Sequence, residues 1–146
     1  MLPFLRMELP EIVDINFPLE GIFHGAAVVS IDKRVPGQAR RVMEGLWSGG
    51  WLAGSRLLVV VDAGQDVHDL SRTFWKVLNN ADWRRDLVMA DPHGEKSSGL
   101  PFGGRLGIDA TRKLAEELVA SEWPREVAMD EAIRELVEKR WREYGF

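Results

Sequence analysis

Between Ile22 and Ile31 the chain reads IFHGAAVVSI, ten residues with almost no polar side chain and a bias toward β-branched types. A run this short and this apolar at successive positions fits a strand buried on both faces, which implies a sheet covered by helices on two sides. The run LLVVV at 57–61 repeats the signal. Ahead of the first run, Ile12, Val13, Ile15 and Phe17 form an extended segment that enters the same sheet and turns at Pro18, Glu20 and Gly21.

Helical spacing fills the intervals. Ala39, Val42, Met43, Leu46 and Trp47 fall on one helical face that ends at Gly49 and Gly50. Val67, Leu70, Phe74, Val77 and Leu78 form a second stripe, with Asp66 placed to cap it and Asp69 three residues on. Leu87 to Ala90 is a third short apolar run. Together they predict β-helix-β-helix-β, a right-handed α/β unit with a parallel sheet. Leu2 to Leu9 reads as the last turns of a helix that begins elsewhere, stopped by Pro10. The segment PHGEKSSGLPFGGRLG at 92–107 is a Gly, Ser and Pro-rich loop. Asp109 then caps a helix to about Val119, and an amphipathic helix starts near Asp130 with Ile133, Leu136, Val137, Trp141 and Tyr144 on one side. The expected fold class is therefore α/β, a three-layer αβα sandwich with a mostly parallel sheet plus a C-terminal amphipathic helix.

At 146 residues the chain is long enough for one domain with its own core and too short for two of ordinary size. Nineteen basic and 23 acidic side chains are interspersed, and the net charge is only −4, so nucleic acid is not an expected partner. With no Cys, a disulfide framework, a thiolate metal site and a thiol nucleophile are excluded, in keeping with a cytoplasmic location. No apolar run approaches the ~20 residues that span a bilayer. Six Trp against one Tyr is a high proportion of indole, expected to serve as core and half-buried anchors, with some facing a partner.

In open α/β sheets ligands bind beyond the carboxyl ends of the parallel strands. Here those ends carry Asp32, Asp62 with Gly64, and Asp91 with His93, and the rim candidates are Asp62, Asp66 and His68. The competing reading is that such aspartates only form turns and caps. No phosphate loop, dinucleotide fingerprint or nucleophile-elbow motif is present, and His24, His68 and His93 lack the spacing of a zinc site. Lys33, Arg34, Arg40 and Arg41 crowd the start of the first long helix, where the dipole disfavours cations, so either a bound anion or a partner's carboxylate offsets them or they form a solvated face.

A more specific pattern runs through nearly the whole chain. LPEIVDINFPLEGIFHGAAVVSIDKR at 9–34, then Pro36, Gly37, Ala39 and Arg40, VVVDAGQDVHDL at 59–70, RRD at 84–86 and LGIDATRK at 106–113 occur in order. This set resembles the C-terminal domain of the UbiD family of decarboxylases, and most closely its quinone-biosynthesis branch in the ubiquinone and menaquinone pathways. Two departures stand out: Gly104-Arg105 replaces the usual Ser-Lys, and Trp83 stands where many relatives have Pro.

The resemblance implies non-oxidative decarboxylation of an aromatic or α,β-unsaturated acid on prenylated FMN, with manganese and potassium. In the family those groups and the catalytic Arg and Glu residues belong to a preceding domain, so no catalytic residue is assigned in this chain, Glu8, Glu11 and Glu20 included. The isolated chain is expected to be inactive and to hold no cofactor. The resemblance also implies that residues 1–125 form a domain closing over the flavin domain, with Leu100, Phe102, Arg105, Ile108, Asp109 and Thr111 as candidates for the lid or substrate pocket. Residues 126–146 would form a helix packing on a neighbouring subunit of a homo-oligomer. The implied partners are the flavin-binding domain, neighbouring subunits and an aromatic acid, with membrane association only through a lipophilic substrate. Two alternatives are a non-catalytic α/β binding or assembly module and a small independent flavodoxin-like enzyme with its ligand at the Asp62 to Asp66 rim.

Overall fold

The two long apolar runs lie side by side at the centre of a five-stranded sheet of order β1-β2-β3-β5-β4. The structure, a computed structural model, describes residues 1–22, 24–50, 52–90, 104–118, 123 and 129–145. In chain order these form α1 (Leu2–Glu8), β1 (Ile12–Asn16), a 3-10 turn (Leu19–Gly21), β2 (Ala26–Ile31), α2 (Gln38–Ser48) and β3 (Leu57–Asp62). There follow α3 (Leu70–Asn80), β4 (Leu87–Ala90), β5 (Arg105–Asp109), a 3-10 turn (Ala115–Glu117), α4 (Glu131–Lys139) and a last 3-10 turn (Trp141–Tyr144). Strands β2, β3 and β5 are mutually parallel, while β1 and β4 run antiparallel along the two edges.

The three-layer arrangement follows from the alternation of side chains along β2 and β3. Ala27, Val29, Ile31, Leu58 and Val60 face α2 and pack with Ala39, Val42, Met43, Leu46 and Trp47. Val28, Val59 and Val61 face the other way and pack with Val67, Val77 and Ile108. Each fully buried aliphatic of this kind stabilises by about 1.5–3 kcal/mol, so these two sets of residues carry the fold. Helix α1 adds Leu2 and Leu5 to the α2 side. Arg6 on α1 donates to the main-chain carbonyls of Ile12 and Val13, where β1 has a register shift.

Three expectations change. First, the third parallel strand is β5, not Leu87–Ala90. Strand β4 returns antiparallel along the outside of β5, so α3 leads to an edge strand rather than closing a parallel crossover. The helix expected from Asp109 to about Val119 is absent over its described part: Arg105–Asp109 is strand, and only Ala115–Glu117 makes a 3-10 turn. Asp109 caps nothing there, because its carboxylate is taken by Thr111 and Lys113. Second, α3 begins three residues later than the apolar spacing implies. Asp69 caps it by accepting from the Arg72 N–H at 2.9 Å, while Asp66 accepts from the His68 N–H in a turn. Third, the stripe on α3 is only half used, since Val77 is buried but Phe74 and Leu78 are exposed. Among the described tryptophans only Trp47 is buried. Helix α4 starts at its Asp130 cap as expected and buries none of its residues. The proposed boundary at 125/126 lies outside the described residues.

Gly107 explains how β5 fits beneath α2. A Cβ built there would collide with Met43 Sδ and lie 3.1 Å from the Trp47 ring. Gly107→Val is therefore expected to destabilise the protein by about 1–3 kcal/mol through overpacking, read as a lower urea midpoint.

Candidate functional site

The carboxyl ends of β2, β3 and β5 carry a dense set of charges, nearly all of them answered within the chain. Lys33 follows β2 with its side chain 3% exposed. Its Nζ donates to Glu117 Oε2 at 2.6 Å, Thr111 Oγ1 at 3.1 Å and the Arg112 carbonyl at 3.1 Å. Glu117 also accepts from the Gly37 and Leu114 N–H groups, which fastens the start of α2 to the 3-10 turn. Burial alone would raise the pKa of Glu117, but the Lys33 hydrogen bond and the two N–H donors outweigh it and hold the carboxyl below its usual range.

A second cluster lies beside it. Lys113, with its side chain 1% exposed, sits 2.9 Å from Asp109 Oδ1 and 3.4 Å from Asp86 Oδ1. It donates as well to the Asp109 and Thr111 carbonyls. Asp86, at the start of β4, is held in a fork by Arg85 at 2.7 and 2.8 Å and accepts from the Asp82 N–H. Burial pushes its pKa up, and Arg85, the Asp82 N–H and Lys113 together bring it below the ordinary value. Asp109 Oδ1 accepts from both the N–H and the hydroxyl of Thr111. The sequence candidates Asp109 and Thr111 are thus buried members of a clip that shapes residues 109–117, and Ile108 packs in the core beside Val59 and Val77.

The rim candidates are separate. Asp62 ends β3 and accepts from the Arg112 N–H at 2.9 Å; burial raises its pKa, against the hydrogen bond from Arg112 and the charges of Lys33, Lys76 and Lys113. It borders a small cleft of about 190 Å³ with Gln65, Arg72 and Lys76. His68 lies 3.3 Å from Asp14, both exposed. Asp66 and His68 do not line that cleft. The cations at the start of α2 find carboxylates: Arg34 pairs with Asp32, Arg40 with Glu44, and Arg41 with the buried Glu11 at 2.9 Å. Among the described residues no group of three His, Cys, Asp or Glu could hold a metal ion, and no helix is long and apolar enough to cross a membrane.

Among the described residues, the opposite end of the sheet carries clefts rather than ion pairs. Because β4 is antiparallel, its last residue Ala90 and the first residue of β5, Arg105, are paired at the amino ends of the parallel strands. There a cleft of about 1010 Å³ is walled by Ile22, Leu57, Met89 and Leu106, with His24, Arg56 and Arg105 supplying polar groups. An adjoining groove of about 520 Å³ runs past Ala26, Val28 and Val59 to Leu70 and Phe74 on α3. The rim is rigid. Ser55, fully buried, donates to the His24 carbonyl at 2.5 Å, and the Trp47 indole N–H donates to the Ser55 carbonyl. Gly25 has no room for a Cβ, which would meet the Gly21 carbonyl. Arg105 and Thr111 therefore sit at opposite ends of β5, separated by a strand of about 13 Å, and do not share one pocket wall. Leu100 and Phe102, with Asp91 and His93, lie outside the described residues. Sequence reasoning misses Ile22 and Met89 as exposed residues and Leu57 and Leu106 as half-buried cleft residues, because exposed and buried aliphatics read alike until strand direction is known.

Lys113→Met leaves Asp109 without its ion pair and Asp86 with Arg85 alone, and is expected to cost as much as about 3–5 kcal/mol, measured by urea unfolding. Acid should act on the same clip. The folded pKa values of Glu117 and Asp86 are depressed, so their stabilisation is fully present above the unfolded carboxyl pKa of about 4 and is lost as pH falls through the lower folded values. A fall in thermal midpoint confined to pH below about 4, and shallower in Glu117→Gln, is the expected result.

Comparison with known proteins places this geometry. The family model described as 3-octaprenyl-4-hydroxybenzoate carboxy-lyase C-terminal domain matches residues 1–110. An uncharacterized protein of Archaeoglobus fulgidus is 45% identical over 97% of this chain, and one of Aquifex aeolicus 34% identical over 99%. The chain spans only 31% and 30% of the length of those two relatives. Among solved structures, the closed form of Sedimentibacter hydroxybenzoicus vanillic acid decarboxylase superposes with a TM-score of 0.74 at 21% identity, over 97% of this chain and 30% of that one. An evolved dimeric form of the UbiD-class enzyme HmfF from Pelotomaculum thermopropionicum, in complex with prFMN, gives 0.64 at 23% identity over 82% and 26%. The last two show a shared fold, and the match over residues 1–110 shows the lineage: the chain belongs to the C-terminal domain family of the UbiD-type carboxy-lyases.

Proposed function

We propose that this chain is the pocket-covering C-terminal part of a UbiD-type enzyme that decarboxylates an aromatic acid without oxidation. The observation that carries this reading is the family match over residues 1–110. The finer assignment to quinone biosynthesis rests on the likeness of the strings at 9–34 and 106–113 to that branch.

Prenylated FMN is the cofactor that this reading implies for the enzyme. The described residues of this chain do not fit that group: they form no carboxylate cluster for a metal, and the chain carries no phosphate-loop motif. The cofactor and its metals are therefore assigned to the flavin-binding part of the enzyme, and the chain alone is expected to lack activity. What the chain contributes is cover. An apolar, water-excluding surface raises the strength of charge interactions inside a closed site and protects reactive species. Phe102 and Leu100 are proposed as apolar wall, and Arg105, on the open amino end, as the cation facing a substrate carboxylate or an acidic group across the domain boundary. Asp109, Thr111 and Ile108 act indirectly, by fixing the end of the strand that Arg105 begins. Residues 126–146 are proposed to pack on a neighbouring subunit, in keeping with the exposed Ile133, Leu136 and Trp141. A cytoplasmic location goes with this reading.

The test is a decarboxylation assay on a panel of aromatic acids with the flavin-bearing enzyme that contains this chain. Activity should need the flavin part, and Arg105→Gln should reduce kcat/KM by roughly tenfold or more while the urea midpoint stays within about 0.5 kcal/mol of wild type. A flavin-loaded enzyme that turns over no aromatic acid would remove the reading.

A further inference from the structure

Two neighbouring parallel strands send the chain to opposite faces of the sheet. From β3 it runs into α3, which packs on the Val59 side, whereas from β5 it crosses to the start of α2 on the other side, where Glu117 accepts from the Gly37 N–H. Where adjacent strands part in this way a crevice opens beyond their carboxyl ends, the ordinary place for a ligand in α/β sheets. Here it is the cleft of about 190 Å³ lined by Val61 and Ala110 and by the polar Asp62, Gln65, Arg72 and Lys76.

Two of those polar side chains differ from their neighbours at the same end of the sheet. Lys33, Lys113, Asp86 and Asp109 are paired within the chain, but the Arg72 guanidinium makes no hydrogen bond or ion pair among the described residues. Gln65 is only 8% exposed, yet its side-chain carbonyl accepts nothing among the described residues and its amide makes one long hydrogen bond, 3.4 Å to the Asp66 carbonyl. Polar groups buried this far are normally satisfied. The charge in the cleft is also unbalanced, since Arg72 and Lys76, one helical turn apart, stand with the single carboxylate of Asp62.

We propose that this cleft binds inorganic phosphate, with Arg72 and the Gln65 amide donating to its oxygens and Asp62 accepting from its hydroxyl. Both Asp62 oxygens accept from the Arg112 N–H, as a carboxylate does, and a carboxylate can only accept, so an anion beside it must bring a proton. Inorganic phosphate keeps a hydroxyl at neutral pH. Sulfate has none, and a phosphate ester loses its last proton near pH 6. The guanidinium fork matches a pair of phosphate oxygens. Size selects in the same direction, because pockets that enclose a drug-sized ligand run to about 300–1,000 Å³ and this one is smaller. The bound ion ties the end of β3 to α3 and gives Arg72 and Gln65 the partners that the chain does not supply. Nothing in this site depends on the carboxy-lyase reading.

Equilibrium dialysis against radiolabelled phosphate tests it. The native protein that contains this chain, purified with its cofactor in place, is dialysed in a buffer free of phosphate and sulfate at pH about 8, where a phosphate ester carries no proton. Binding of phosphate is expected to saturate below about 1 mM, with sulfate and methyl phosphate at least about tenfold weaker as competitors. Arg72→Gln and Gln65→Leu should each weaken phosphate about tenfold or more, the usual worth of a hydrogen bond to a charged group. Arg72 is exposed, so its replacement leaves the fold intact, which far-UV circular dichroism checks. Asp62→Asn, whose amide can both accept from Arg112 and donate to an anion, should let sulfate compete as well as phosphate. Arg34→Gln, outside the cleft, should change nothing. No saturable binding below about 1 mM overturns the proposal. Binding that Arg72→Gln leaves unweakened overturns it as well, because the ion then sits elsewhere. Equal competition by sulfate or by methyl phosphate in the unmutated protein does the same, since Asp62 is then not reading a hydroxyl.

Discussion

Lys113 is a cation almost fully removed from water, and it is held there by two carboxylates, one just before β4 and one at the end of β5. An ammonium buried without such partners would be strongly unfavourable, so its position and the relative placement of Asp86 and Asp109 are mutually required. Asp86 stands just before β4 and Asp109 ends β5, and they meet only if the two strands run in opposite directions. The pairing thus fixes β4 as a returning edge strand, and with it the end of the sheet at which β4 stops and β5 starts. Among the described residues, the separation of an ion-paired end from an end with an apolar-walled cleft follows from this one cluster.

A division of labour between the ends results. The carboxyl end spends its charged side chains on itself: Lys33 and Glu117 tie β2 to the chain after β5, and Arg112 closes onto Asp62 through its main-chain N–H. The amino end is held by neutral contacts, the Ser55 hydroxyl on the His24 carbonyl and the Trp47 indole on Ser55. Those contacts brace the rim from within the core. A surface fixed in shape and left apolar loses little conformational entropy when it meets a partner.

Much of the scaffold is legible in the sequence. β2 and β3 are unbroken β-branched runs, and α2 shows five apolar residues on one face bounded by Gly49, features that propensity and periodicity report directly. Strand β5 is not legible, because Gly107 and its glycine-rich approach carry the composition of a loop, and the glycine is there for Met43 and Trp47, which lie more than 50 residues away in sequence. The aspartates mislead for a similar reason. Asp109 has the look of a helix cap, and only the fold brings Lys113 and Thr111 onto its carboxylate. Sequence likeness adds the lineage and the importance of the 106–113 string, but it does not show that Arg105 and Thr111 point to opposite ends of the domain. That distinction depends on strand direction, which side-chain pattern does not encode.

The outermost strands have a further consequence for how copies of this domain can meet. A sheet bordered by bare strand edges invites another strand to add on, and proteins avoid this by interrupting or covering those edges. Here Arg6 occupies the main-chain carbonyls at the irregular part of β1, and β4 at the far side is only four residues long. Growth of the sheet from one molecule into the next is thereby discouraged on both flanks, so assembly is left to side-chain surfaces, whose partners can be chosen by shape.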